Sequence, residues 1–187
     1  MLLFTHRLLT IMNTKQITEE LQKSHLEFIN FIDKLSKENY NFSFENKWNA
    51  GQHLDHITKS VAILTKAFSM PKWLIKYKFG KANRPSRSAK ENIKRYLEKL
   101  KTAKPTPSRF QPDLIEFEQK KVAFQKLENT LNKLCVKATK LSEKKLDYYI
   151  LPHPLLGKMT FRELLHFTTY HVTHHQKLIK NSLNANK

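Results

Sequence analysis

Apolar residues recur every three or four positions in four stretches of the chain, and each stretch predicts a helix with one buried face. The first spans about 14–37, with Ile17, Leu21, Phe28, Ile32 and Leu35 in helical step. The second, about 50–69, has a wide apolar arc that includes Leu54, Ile57, Val61, Ile63, Leu64 and Phe68. The third, about 112–141, is the cleanest, running through Leu114, Phe117, Phe124, Leu127, Leu131, Leu134, Ala138 and Leu141. The fourth, about 160–183, carries Phe161, Leu164, Leu165, Val172, Leu178 and Ile179. Stripes of this width must be buried against neighbours, so the expected fold is all-α. The expected architecture is an up-down-down-up four-helix bundle with a long basic crossover between its second and third helices.

That crossover, residues 70–111, opens with "MPKWLIKYKFG" and closes with "KPTPSRFQP". Prolines punctuate it. Within it, "SAKENIKRYLEKLK" begins with Ser88 and Glu91 in Ser-x-x-Glu spacing, a capping box that predicts one short extra helix. Residues 71–110 hold 13 Lys or Arg against 2 acids, which is well over half of the net charge of +18. A crossover of this kind can grip nucleic acid, an anionic surface or an acidic ligand. A solvated loop is the simpler expectation. The basic residues are mostly Lys, no nucleic-acid motif is present, and aromatics are not interleaved with the charges for base stacking. Nucleic acid is therefore a disfavoured partner.

Composition adds little that changes this picture. A chain of 187 residues with 40% hydrophobic content suits one domain, and only 3 glycines argues for helices over turn-rich sheets. No apolar run reaches the ~20 residues needed to cross a bilayer, so no membrane partner is expected. The start, "MLLFTHRLLTIMNTKQ", is broken by His6 and Arg7 and lacks the shape of a signal peptide. The expected limits are a disordered or non-native lead at 1–13, a domain at 14–183 and a frayed tail at 184–187. The single cysteine, Cys135, can form no internal disulfide, which suits a reducing cytoplasm. Inside a helical run it reads as buried filler rather than a nucleophile.

Candidate chemistry gathers in "YHVTHHQKL", where three histidines fall within five residues. His171 and His175 are four apart, so on a helix they stand one above the other and can share a metal ion. Both lie on the apolar stripe of the fourth helix. Two inward imidazoles would repel if both were protonated, and a divalent cation removes that conflict. His174 lies to one side, and His166 faces nearly the opposite way, toward the surface or an interface. A metal needs further ligands, and the second helix offers His53 and His56. Periodicity slightly favours His53, which sits near the middle of the apolar arc, over His56 at one edge.

Two segments, "KWNAGQHLDHITKS" and "HPLLGKMTFRELLHFTTYHVTHHQKLI", resemble the DinB-like superfamily of helical-bundle metalloproteins, the damage-inducible family. In the first, a Trp is followed eight residues later by His and an aliphatic residue. The second has His-Pro, a Gly, a Thr cap and then H-x3-H in the last long helix. The likeness covers about residues 14–183, including the long crossover. The resemblance implies a divalent metal held by His56, His171 and His175, with His53 a neighbour rather than a ligand. Zinc is the default ion, and nickel, iron or manganese also accept imidazole. It also implies a low-molecular-weight-thiol S-transferase or a hydrolase acting on a small molecule, and a homodimer. The alternative is a bundle that binds metal without catalysis, or a basic anion- or nucleic-acid-binding module.

Three neutral imidazoles leave at least one position open on the ion. A water or thiol there loses its proton more easily, giving hydroxide for esters and amides or thiolate for electrophilic carbon. No general base stands out. Asp55 is expected to face away from the core, and Glu163 to turn toward solvent. His53 and His174 read as spare histidines, with outer-sphere donor or proton carrier the sharper alternative. Trp48 and Trp73 read as packing anchors, and Gly157 as a lone turn glycine.

Overall fold

A computed structural model describes residues 12–103 and 105–185. The lead at residues 1–11 and the last two residues of the tail, for which disorder is expected, lie outside the described residues. In chain order the helices are α1 (Thr14–Asp33), α2 (Lys37–Asn41), α3 (Ala50–Ser69), α4 (Lys72–Phe79), α5 (Ala89–Leu100), α6 (Lys120–Thr139), α7 (Glu143–Tyr148) and α8 (Phe161–Asn184). One antiparallel hairpin, β1 (Ile150–His153) and β2 (Gly157–Thr160), precedes α8. The class is thus mainly helical, as expected.

Three of the long helices begin with reciprocal caps. Asn13 with Gln16, Asn49 with Gln52, and Thr160 with Glu163 each form a full capping box at α1, α3 and α8. Each box satisfies two amides that the first turn would otherwise leave without partners. The apolar stripes then meet. α1 packs on α6 and α8, and α3 packs on the same two helices. Ile17, Leu21, Phe28, Leu54, Ile57, Leu127, Leu134, Leu165 and Val172 fill the space between them, all buried. Each such side chain contributes about 1.5–3 kcal/mol by leaving water.

The third periodic stretch does not become helix throughout. α6 starts at Lys120 rather than near residue 112, and Leu114 is exposed. Residues 111–116 instead run as a strap across the start of α3. Tyr40 Oη donates to the Ile115 carbonyl at 3.0 Å, and the Asp113 amide donates to Asp55 Oδ2 at 2.7 Å. The strap passes so close to Gly51 that a methyl group there would overlap the Ile115 carbonyl. Long-range hydrogen bonds outweigh local helical periodicity here.

The crossover is also more ordered than a solvated loop with one helix. It holds two helices, α4 and α5, and a 3-10 turn at Ser108–Phe110. α4 is bounded by Pro71 before it and Gly80 after it, the latter at φ +85°. That is the Pro-start, Gly-stop asymmetry of helices, present in the sequence but read only as loop punctuation. The expected α5 cap is present in part. Ser88 accepts from the Glu91 amide, while the Glu91 carboxylate turns to Arg87. α5 packs on α8. The hairpin was not foreseen, because four-residue strands are too short to show alternation. Its turn closes on Gly157 at φ +72°, the left-handed position such a three-residue loop requires.

Candidate metal centre

α3 and α8 place three imidazole nitrogens at one point. His56 Nε2 lies 3.3 Å from His171 Nε2, and His175 Nε2 lies 3.0 Å from His171 Nε2. The three ligand atoms lie within 4.8 Å of one another, and all three residues are at least half-buried. The i, i+4 pair comes from one helix face, as spacing predicts. On α3 it is His56, not His53, whose ring joins them.

Two of the rings are held from behind. His56 Nδ1 lies 2.7 Å from the Phe110 carbonyl, which can only accept, so Nδ1 carries the proton and Nε2 presents a lone pair. His175 Nδ1 lies 2.7 Å from His53 Nδ1, leaving His175 Nε2 to face the cluster. His53 is therefore a buried hydrogen-bond partner of His175, the sharper of its two expected roles. Outer hydrogen bonds of this kind orient the rings of metal-binding histidines. Phe110 belongs to the crossover, and nothing in the sequence pattern marks its carbonyl as part of the cluster.

Burial, reinforced by neighbouring imidazoles, pushes His171 and His175 well below the ordinary histidine range. His56 is lowered by burial, against the opposing pull of the Phe110 carbonyl, and burial takes His53 down to about 3. At neutral pH all four rings are uncharged, the state in which imidazole binds metals. The donor set fits a cation on its own chemistry. Nitrogens 3.0–3.3 Å apart must share protons or turn lone pairs on one another, and a shared cation would relieve them.

A cavity of about 350 Å³ opens beside the cluster. Its walls come from α3, α5, Ala103, residues 106–110, the hairpin and α8, with Ile63, Leu64, Leu151, Leu164, Phe167 and Leu178 among them. Among the described residues no Asp, Glu, Lys or Arg lines it, in a chain of net charge +18. Trp48 lies against His53, His56 and His175 and also lines the cavity. Two residues without a role in the sequence reading face the cavity as well, Tyr96 of α5 and His153 of β1. His174 joins them there, packed edge-on against Tyr96.

Several expectations are corrected. Glu163 does not turn to solvent. It is fully buried at the α8 cap, where Arg84 Nη1 and Nη2 donate to its two oxygens at 2.6 and 3.0 Å. Asp55 is also buried, accepting from the Asp113 amide and pairing with Lys59 at 2.8 Å. Both carboxylates hold the crossover in place and lie off the cavity wall. Trp73 is 72% exposed and anchors nothing, because α4 turns that face to solvent. Cys135 is buried, and burial raises its thiol to about 11, in keeping with filler.

Comparison with curated proteins and with solved structures returned no match. No helix among the described residues is long and apolar enough to cross a membrane. The family model of the DinB superfamily, whose members are known to bind metal, matches residues 14–179, a span that includes the histidine cluster and nearly all of the helical core. The chain belongs to the DinB superfamily.

Proposed function

We propose that His56, His171 and His175 hold one divalent cation, zinc by default, and that the protein is a metal-dependent enzyme acting on a small apolar molecule. The single observation that carries this reading is the convergence of three Nε2 atoms, from two helices, at the end of an apolar cavity. Bound there, the ion would acidify a water or a low-molecular-weight thiol, so the reaction class is hydrolysis or thiol transfer. The chain's own residues do the rest. His53 and the Phe110 carbonyl keep the ring nitrogens aimed inward, the walls, uncharged among the described residues, admit an apolar substrate, and the crossover helix α5 roofs it. Arg84 and Arg87 of the crossover are engaged with Glu163 and Glu91, which favours a structural use of that charge over nucleic-acid binding. We read the four long helices as an up-down-down-up bundle that works in the cytoplasm as a homodimer.

Elemental analysis and zinc titration of protein purified without a histidine tag test the site. One divalent ion per chain is expected, lost in His171→Ala. An ion-free protein that takes up neither zinc nor nickel would refute the reading. A screen of thiols against electrophiles, and of neutral esters, then separates transferase from hydrolase. Loaded protein inert across both sets would point to metal binding without catalysis.

A further inference from the structure

His153 ends β1 at the mouth of the hairpin, and its ring packs edge-on against Phe167, with centroids 4.5 Å apart. The opposite neighbour of Phe167 is the cluster itself, since Phe167 stacks on His171 at 5.2 Å. One aromatic ring therefore separates His153 from a proposed metal ligand. Its tautomer is fixed. The amides of Leu155 and Leu156 each donate to His153 Nδ1 at 3.2 Å. An amide cannot accept, so Nδ1 is the lone-pair nitrogen and the neutral ring carries its proton on Nε2. Nε2 has no partner among the described residues, and the ring lines the cavity.

We propose that His153 Nε2–H is the hydrogen-bond donor that receives the substrate, and that the substrate is a neutral, largely apolar molecule bearing one acceptor such as a ketone, ester or amide carbonyl. The apolar part follows from walls without a charged side chain among the described residues and a volume of about 350 Å³. Away from the histidine cluster, a charged ligand would lose its hydration without gaining a counter-charge from the described walls. The acceptor follows from a donor whose other nitrogen is already occupied, on a ring that lines a mostly apolar cavity, where a hydrogen bond decides orientation. The turn fixes the ring before any ligand arrives, so binding need not order it. Any part in a reaction rests on the metal reading above. The binding preference does not.

The probes are acetophenone and ethylbenzene, which share size and ring and differ in the carbonyl. Each is titrated into the 15N-labelled full chain, as purified and after chelation. The two tryptophan indole signals report, Trp48 from the cavity and exposed Trp73 as control. Acetophenone should shift Trp48 and not Trp73, and bind roughly tenfold tighter than ethylbenzene. His153→Asn keeps an acceptor for the turn but has no atom at the Nε2 position. It should lose the preference while still binding ethylbenzene. His153→Gln, which restores a donor near that position, should recover part of it. Long-range 1H–15N spectra of the unmutated chain should show His153 as the Nε2–H tautomer. The Nδ1–H tautomer, equal binding of the two probes, or a preference that survives in His153→Asn would each overturn the proposal. Chelated protein gives the same answer whether or not zinc ever binds, so failure here is distinct from failure of the metal site.

Discussion

The Nδ1 atoms of His53 and His175 lie 2.7 Å apart, so a helix α3 side chain fixes the ring of an α8 histidine that faces the cluster. Removing such an outer partner usually costs 10–100-fold in metal affinity without abolishing binding. His53→Ala should therefore weaken zinc by about that factor, whereas His171→Ala should remove it. Calorimetric titration of both variants checks the split. Equal loss in the two would mean that His53 is itself a ligand.

Arg84 and Glu163 form a two-pronged pair that ties the crossover to the first turn of α8. Burial works to raise the Glu163 carboxyl, but the Arg84 guanidinium and the amides of Arg87 and Thr160 hold it below the usual carboxylate range. Arg84→Ala strands a buried carboxylate, and breaking such a pair costs about 3–5 kcal/mol. The expected drop in Tm is on the order of 10 °C for a chain of this size. Thermal unfolding at pH 7 measures it. A shift within about 2 °C would show the pair to be ornamental.

His25 is buried on α1, with Nδ1 2.8 Å from the Leu21 carbonyl and Nε2 without a partner among the described residues. Burial lowers its pKa to about 4, only partly opposed by that carbonyl. The unfolded chain, titrating near the ordinary 6.5, binds the proton more readily. His25's contribution is therefore complete above about pH 6.5 and is lost progressively as pH falls to 4, on the order of 3 kcal/mol. His153, lowered by burial to about 4, adds a loss of the same sign. Denaturant melts from pH 7 to 4 should show this slope. The buried rings of His53, His171 and His175 add to the same slope, so His25→Leu, which also deletes an unpaired buried nitrogen, should make it shallower without abolishing it and be neutral or stabilising at pH 7. An unchanged slope would assign the acid sensitivity elsewhere.

Gly51 lets the 111–116 strap approach the first turn of α3, where an added Cβ would lie 2.8 Å from Tyr40 Oη and overlap the Ile115 carbonyl. Gly51→Ala should cost about 1–3 kcal/mol through overpacking, despite the better helix propensity of alanine. Urea denaturation measures the change. A stabilised variant would show that the strap moves aside freely.

Much of the core was legible as periodicity because each long helix must bury one face. α3 was legible end to end, and α8 nearly so, because their apolar residues keep helical step along the whole length. Residues 112–119 misled because Leu114 and Phe117 keep the step of α6 while their backbone is claimed by Tyr40 and Asp55. In the histidine cluster, His171 and His175 could be paired from spacing alone. The choice between His53 and His56 could not be made that way, since both fall on one wide apolar arc. The DinB-like pattern favoured His56, and it is the His56 ring that meets the other two. His153 stood only as the His-Pro of the family pattern, without a role, because its tautomer depends on two amides in the turn of a short hairpin.

By itself, then, the sequence determined a helical chain with four long apolar stripes and two histidines stacked one turn apart, because these depend on residues three or four positions away. Only the tertiary structure decided which α3 histidine meets them, which backbone groups fix the rings, and that the most basic segment of the chain folds over a cavity with no charged side chain in its wall among the described residues. Those outcomes hang on contacts between residues 54 to 122 positions apart, whose geometry is set by how the helices and crossover pack rather than by any local pattern.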